Sequence, residues 1–159
     1  MVIVTRIENR ANLIIQKLKN EGHRITPQRI AIVRTLVESR GHPSVEDIFG
    51  RVHATFPTTS LATVYKTISV IKELGEVLEL EFSTGHNRYD GNNPHPHPHL
   101  MCLQCKRIVD PELSTLADLT QELTSDSGFR IVSHRLDFYG ICPECQAGRD
   151  LEAGTEPGN

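Results

Sequence analysis

Two cysteine pairs, Cys102-x-x-Cys105 and Cys142-x-x-Cys145, constrain this 159-residue chain more than any other feature. Each pair puts two thiols within reach of one metal ion. Four sulfurs complete a tetrahedral zinc with no open position, which is a structural rather than a catalytic site. The 36 residues from Lys106 to Ile141 exceed the spacing of a short zinc ribbon, so a helix and a strand must fold inside the loop that the metal closes. The competing readings are unpaired thiols and a thioredoxin-like redox pair. A redox pair opens a helix after a strand, whereas Cys142-Pro143-Glu144-Cys145 follows a strand near the chain's end.

The compartment bears on that choice. No apolar run nears the roughly 18 residues needed to cross a bilayer. The start, MVIVTRIENR, lacks the long apolar stretch and cleavage site of a secretory signal. The expectation is a soluble cytoplasmic protein without membrane association, where reducing conditions disfavour disulfides and favour a metal cage. The formal charge of -3 conceals an asymmetry: residues 1–75 carry 11 Lys and Arg against 6 Asp and Glu, and residues 76–159 carry 6 against 14. A basic first half joined to an acidic second half predicts that only the first half meets a polyanion.

Residues 5–21 place Ile7, Ala11, Ile14, Ile15 and Leu18 on one helical stripe that stops at Gly22. In RITPQRIAIVRTLVESRG, Thr26 is a natural N-cap, Pro27 suits the first helical turn, and Ile30, Val33, Leu36 and Val37 form the inner face. HPSVEDIFGRVHATFP repeats the logic, with Ser44 as cap and Asp47 completing a capping box. In SLATVYKTISVIKELG, steps of three and four define a core face of Leu61, Val64, Ile68, Ile71 and Leu74. Thr59, Ala62, Thr63 and Lys66 are left on the outer side. That outer face is short, hydroxylated and basic, and a helix of this kind can enter the major groove of double-stranded DNA. EVLELEF and NRYD around a turn predict a hairpin. The resulting fold class is α+β: a winged helix-turn-helix in residues 1–90, then an α/β domain with the zinc site in residues 91–146. Residues 84–96 are rich in Gly, Asn and Pro and read as a linker. HLMCL and RIVD read as strands, PELSTLADLTQELTSDSG as a helix, FRIVSHRLDFYGIC as a long strand and residues 147–159 as a disordered tail.

The stretch from His95 to Cys105 reads HPHPHLMCLQC. A closed four-sulfur cage has no place for its histidines, so they serve another ion or none. In an extended segment His95, His97 and His99 point to one side, and Asp90 and Asp110 supply nearby carboxylates. Such a nitrogen and oxygen set suits Fe(II), Mn(II) or Zn(II).

RITPQRIAIVRTL, GHPSVEDIF, LATVYKTI, NRYD, HPHLMCLQC, RIVD and RLDFYGICPEC, in this order, resemble the ferric uptake regulator family of bacterial metal-dependent repressors, over roughly residues 20–146. The resemblance implies that the second domain dimerises, that structural Zn(2+) sits on Cys102, Cys105, Cys142 and Cys145, and that a regulatory Fe(2+) or Mn(2+) sits on His42, Asp90, His97, His99 and Asp110. Aspartate at both carboxylate positions is similar to the peroxide-sensing branch. It implies that hydrogen peroxide is sensed by iron-catalysed oxidation of His42 or His97, with manganese as a less sensitive corepressor. The protein implied is a homodimeric repressor of a palindromic operator and not an enzyme, with Arg24, Thr59, Ser60, Ala62, Thr63, Tyr65 and Lys66 as its DNA contacts. Lys66 stands where the family often has arginine; it keeps the charge but loses the bidentate fork, which favours phosphate contact over guanine reading. Pro96, Pro98 and Ala117 replace donors of a further site in iron-uptake members, although His134 remains available there. The alternatives are an iron- or zinc-uptake repressor of the same family, a metal-storage protein, and a metalloenzyme, for which no nucleophile and base pair stands out.

Overall fold

The computed structural model describes residues 2–39, 41–81, 87–113 and 115–153. The chain divides into two compact units, Met1–His95 and Pro96–Asn159. Among the described residues no helix is long and apolar enough to cross a membrane.

The first unit holds four helices, α1 (Val2–Asn20), α2 (Pro27–Glu38), α3 (Val45–Thr55) and α4 (Leu61–Glu73), and a two-stranded ribbon of β1 (Leu78–Leu80) and β2 (Arg88–Asp90). The first helix begins before the expected residue 5 because nothing in Val2–Val4 breaks a helix. The predicted caps form as side-chain acceptors for orphan amides: Thr26 Oγ1 takes the Arg29 N–H, and Ser44 and Asp47 close a capping box. Four helical stripes meet in one core of Ala11, Ile14, Leu18, Ile32, Val33, Leu36, Val37, Val45, Ile48, Val52, Val64, Ile68 and Ile71, joined by Val77 and Tyr89 from the ribbon region. Leu61, expected inside, is 38 % exposed because it opens α4, one turn before the buried stripe starts at Val64. The ribbon is antiparallel, with Leu78 opposite Asp90 and Leu80 opposite Arg88. The turn expected between its strands lies in residues 82–86, outside the described residues.

A buried ion cluster ties α1 to the base of the ribbon. Glu76, 5 % exposed, accepts from Arg10 and Lys17. Arg10 also donates to the carbonyls of Glu76 at 2.8 Å and Gly91 at 2.9 Å. Asp90 Oδ1 accepts from the amides of Asn92 and Asn93 at 2.7 and 3.0 Å. These bonds keep Gly91–Asn93 in the first unit, so the boundary falls at His95 rather than at the expected residue 90.

The second unit contains β3 (Pro98–Cys102), β4 (Ile108–Val109), α5 (Leu116–Ser127), β5 (Leu136–Gly140) and α6 (Pro143–Ala153). Its sheet runs β4-β3-β5, with β3 antiparallel to β4 and parallel to β5. Parallel pairing demands a crossover, and α5 lies in that connection. The predicted long strand shrinks to Leu136–Gly140. Phe129 and Val132 of its first half stay 73 and 83 % exposed, with no core among the described residues to receive them. The tail expectation is corrected for residues 147–153, which continue α6 from a proline at the first helical position through the helix formers Ala, Arg, Leu and Glu. Residues 154–159 lie outside the described residues.

Two stability tests follow from the first unit. A Cβ at position 91 would meet Leu36 Cγ at 2.6 Å, and Leu36 is itself locked in the core. Gly91→Ala is expected to lower the unfolding free energy by about 1–3 kcal/mol in urea denaturation. Burial pushes the Glu76 carboxyl up, but its bonds from Lys17 and Arg10 outweigh that and hold it below its ordinary value. A depressed carboxyl contributes stability above its unfolded pKa and loses it as pH falls through the folded value. Glu76→Gln should therefore cost about 1–3 kcal/mol at neutral pH, with the difference from the parent protein shrinking as both are titrated into acid.

Candidate metal centres and nucleic-acid interface

The first candidate centre is built by strand register. Cys102 ends β3 and pairs with Gly140 at the end of β5, so parallel alignment delivers Cys142, two residues on, to the same end of the sheet as the first cysteine pair. The four sulfurs offer ligand atoms within 4.8 Å of one another. Cys105 Sγ and Cys142 Sγ are 3.7 Å apart, which matches the roughly 3.8 Å edge of a tetrahedron with zinc–sulfur bonds near 2.3 Å. The first knuckle folds back through Lys106 N–H to Cys102 O at 3.0 Å, with Lys106 in the left-handed region at φ 62°. The second pair does open a helix, α6, contrary to the sequence expectation. What separates this site from a redox pair is therefore the meeting of four thiols, and not the absence of a helix.

Backbone amides of Cys142 and Cys105 donating toward Cys102 lower its thiol to about 6. The Cys145 thiol is pushed up to about 12, first by its hydrogen bond to Cys142 and then by burial. One proton leaves easily and the next is held, a pattern that a divalent cation reverses by compensating the clustered thiolates. The donor set fits a structural zinc. Arg107 Nη1 bonds Glu144 Oε1 at 2.5 Å and links the two knuckles; this contact first, together with the Glu144 backbone amide, lowers the Glu144 carboxyl to about 2.

The expected regulatory ligands occur as imidazole and carboxylate partners within each unit. In the first, His42 is buried at φ 52°, a left-handed conformation that histidine adopts more readily than most residues. Its Nε2 is 3.5 Å from Asp90 Oδ2, while Asp90 Oδ1 is engaged by Asn92 and Asn93. Burial pushes the Asp90 carboxyl up, but the His42 and amide contacts outweigh this and hold it below its ordinary value. In the second unit, His97 Nε2 is 3.7 Å from Asp110 Oδ2, His99 Nε2 is 3.9 Å from Asp110 Oδ1, and the two rings lie 4.3 Å apart. These separations exceed hydrogen-bond length and approach the roughly 3–3.5 Å between donors sharing an ion at about 2.1 Å. Hard oxygens beside imidazoles make the set suitable for iron(II) or manganese(II). The proline spacing does turn His97 and His99 to one side, whereas His95 is exposed and lies in the first unit. Sequence reasoning missed Asp137, whose Oδ1 is 3.3 Å from His99 Nδ1. Its signal was positional: once β3 and β5 are paired, Asp137 stands beside His99. His134 is exposed and lines a shallow hollow with Ala117, Thr120, Gln121, Thr124 and Ser125, with no carboxylate among the described lining residues.

On α4, Ser60 caps the helix, Ala62 and Lys66 are exposed, Thr63 is half-buried and Tyr65 is 46 % exposed. Arg24 is exposed before α2. Thr59 is corrected: it is 4 % exposed, because it belongs to the turn before α4, its N–H bonding Phe56 O, and does not follow the helical period. Tyr65 Oη donates to Glu46 Oε1 of α3 at 3.0 Å, a partner the sequence did not suggest.

Helices followed by a ribbon, then a small sheet carrying a four-thiol cluster, form an α+β arrangement suited to a metal-dependent transcriptional regulator. The chain belongs to the ferric uptake regulator family, whose model matches residues 20–139. It is 39 % identical over 148 residues to the peroxide-responsive repressor PerR of Staphylococcus aureus, covering 91 % of this chain and 97 % of that protein. The ferric uptake regulator Fur of Helicobacter pylori shares the fold, with a TM-score of 0.77 at 24 % identity over 88 % of this chain and 93 % of that one. A zinc-bound manganese uptake regulator matches with a TM-score of 0.66 at 29 % identity, over 81 % and 98 % of the two chains.

Cys142→Ser is expected to release zinc and melt the β3–β5 sheet while the first unit, with its own core, stays folded. Metal analysis and amide hydrogen exchange test this; full zinc occupancy in the variant would contradict the four-thiol assignment.

Proposed function

We propose that this chain is a homodimeric, peroxide-sensing repressor that binds a palindromic operator in the cytoplasm when iron(II) or manganese(II) joins His42, Asp90, His97, His99 and Asp110. The observation that carries this reading is the pairing of imidazole with aspartate in each unit, His42 with Asp90 and His97 and His99 with Asp110. The 39 % identity to a peroxide-responsive repressor supports it. A cation needing donors from both units favours the conformer in which they converge, and by linkage that conformer's affinity for DNA rises with metal.

The chain's own residues have separable jobs. Ser60, Ala62, Thr63, Tyr65 and Lys66 present the reading face of α4, and Arg24 adds a basic contact to the minor groove from a first half that is net positive. Leu100, Val109 and Phe138, each more than 40 % exposed, lie on the second unit's sheet, and a second copy covering them accounts for their exposure. Two copies related by a twofold axis read a palindrome.

When bound, iron(II) would supply the one-electron reduction of hydrogen peroxide, chemistry that manganese(II) would not provide. His42 and His97 would be the imidazoles that meet that oxidant. Overall, an imidazole C–H becomes C–OH as the peroxide O–O bond breaks and the second oxygen leaves as water. The altered ring is a poorer donor, the ligand set fails and DNA is released.

Gel shifts with zinc-loaded protein test the reading. Manganese(II) and iron(II) should each tighten operator binding by at least about 10-fold over the form lacking the second ion, and peroxide should abolish only the iron effect. Mass spectrometry should place one added oxygen on His42 or His97. DNA release without that addition would redirect the mechanism to cysteine oxidation, and metal-independent binding would end the proposal.

A further inference from the structure

The two nitrogens of His99 face different carboxylates. Nε2 looks toward Asp110, 3.9 Å from Oδ1, and Nδ1 lies 3.3 Å from Asp137 Oδ1. The second contact is set by the fold: β3 and β5 pair in parallel with His99 in register with Asp137, so both side chains rise from one face of neighbouring strands. Both are sequestered, the His99 side chain 4 % and the Asp137 side chain 12 % exposed. Asp137 is itself oriented, because Arg135 Nε donates to its other oxygen, Oδ2. A carboxylate that accepts from one imidazole nitrogen leaves the other nitrogen's lone pair pointing at the metal, and it restricts rotation of the ring.

We propose that Asp137 is a positioning residue for the regulatory centre, holding the His99 imidazole with Nδ1 protonated and Nε2 presented to the cation. The inference rests on the reading of His99 as a ligand. Within the second unit it explains why the more deeply buried of two neighbouring imidazoles has a carboxylate behind it. His99 is braced by the strand beside it, and the proposal assigns this as the function of the Asp in RLDFYG. It also gives the centre a rigid donor, so that metal binding does not have to order this ring.

The test uses full-length, zinc-loaded protein, with manganese(II) affinity measured by competition against a fluorescent chelator. Asp137→Ala and Asp137→Asn should weaken manganese(II) binding by about 10- to 100-fold, with zinc content unchanged, and Asp137→Glu should restore part of the loss. His99→Ala should abolish high-affinity binding. Long-range nitrogen–proton correlation spectra of protein without manganese should show the Nδ1–H tautomer of His99, shifting toward Nε2–H in Asp137→Ala. Asp137→Ala that binds manganese(II) as tightly as the parent, while His99→Ala does not, overturns the positioning role and leaves the ligand reading intact. Parent-like binding by His99→Ala overturns both. Loss of zinc or of the sheet in Asp137→Ala, unrelieved by Asp137→Glu, assigns Asp137 a structural role and likewise overturns the proposal.

Discussion

The parallel register of β3 and β5 is the constraint on which the second unit depends. Its described residues bury only Pro98, His99, Cys102 and Ile108, far too little apolar surface to offset the ordering of a sheet and two helices. Four thiols brought to one end of that register supply a different source of cohesion, since a structural zinc contributes its binding free energy to folding. The same alignment sets His99 beside Asp137. One pairing decision therefore organises both the sulfur cluster and the nitrogen donor at the opposite end of β3.

The first unit is stabilised differently. Its four helices share a continuous apolar core, and its polar features are local devices: caps at Thr26, Ser44 and Ser60, and the buried Glu76 held by Arg10 and Lys17. Arg10 is engaged three times, by the carboxylate and the carbonyl of Glu76 and by the carbonyl of Gly91, the residue after Asp90. Asp90 is thus placed by backbone bonds on its own Oδ1 and by the anchoring of its neighbour to α1, and its Oδ2 is directed to His42. The left-handed backbone of His42 belongs to the same pattern. Strain of this kind persists where the surroundings over-determine it, and here the helix α3 begins three residues later with a complete capping box.

Legibility in the sequence followed the range of the forces involved. Thr26, Ser44 and Asp47 were readable as caps because a cap is a matter of residues three apart. The ribbon and most of the stripes of α2 and α4 were readable for the same reason, although Ile30 and Leu61, expected inside, are not buried and the fully buried Ile32 was not on the expected face. The errors arose where a longer-range or context-dependent term prevailed. Thr59 was assigned to a helical face by extrapolating a period past the start of its helix. Phe129 and Val132 carry strand-like apolar character, but among the described residues no apolar surface covers them. The segment 147–153 lacks an apolar period and yet forms helix, because the helix is started at Cys142 and Pro143 rather than by burial of a stripe. Asp137 was invisible for another reason: nothing within RLDFYG distinguishes an aspartate set beside a buried histidine from a solvated one until the strand beside it is known.

Sequence alone determined the donor chemistry: four thiols in two knuckles for a closed zinc site, histidines and aspartates for a harder ion, and a small, basic helix face. Side-chain type and short-range spacing carry that information without reference to the rest of the molecule. Tertiary structure decided which of these side chains meet, through the β3–β5 alignment that sets Asp137 beside His99 and the bonds that orient Asp90. Those outcomes rest on contacts between residues far apart in the chain, whose proximity exists only after the backbone hydrogen bonds and the apolar core have selected one arrangement.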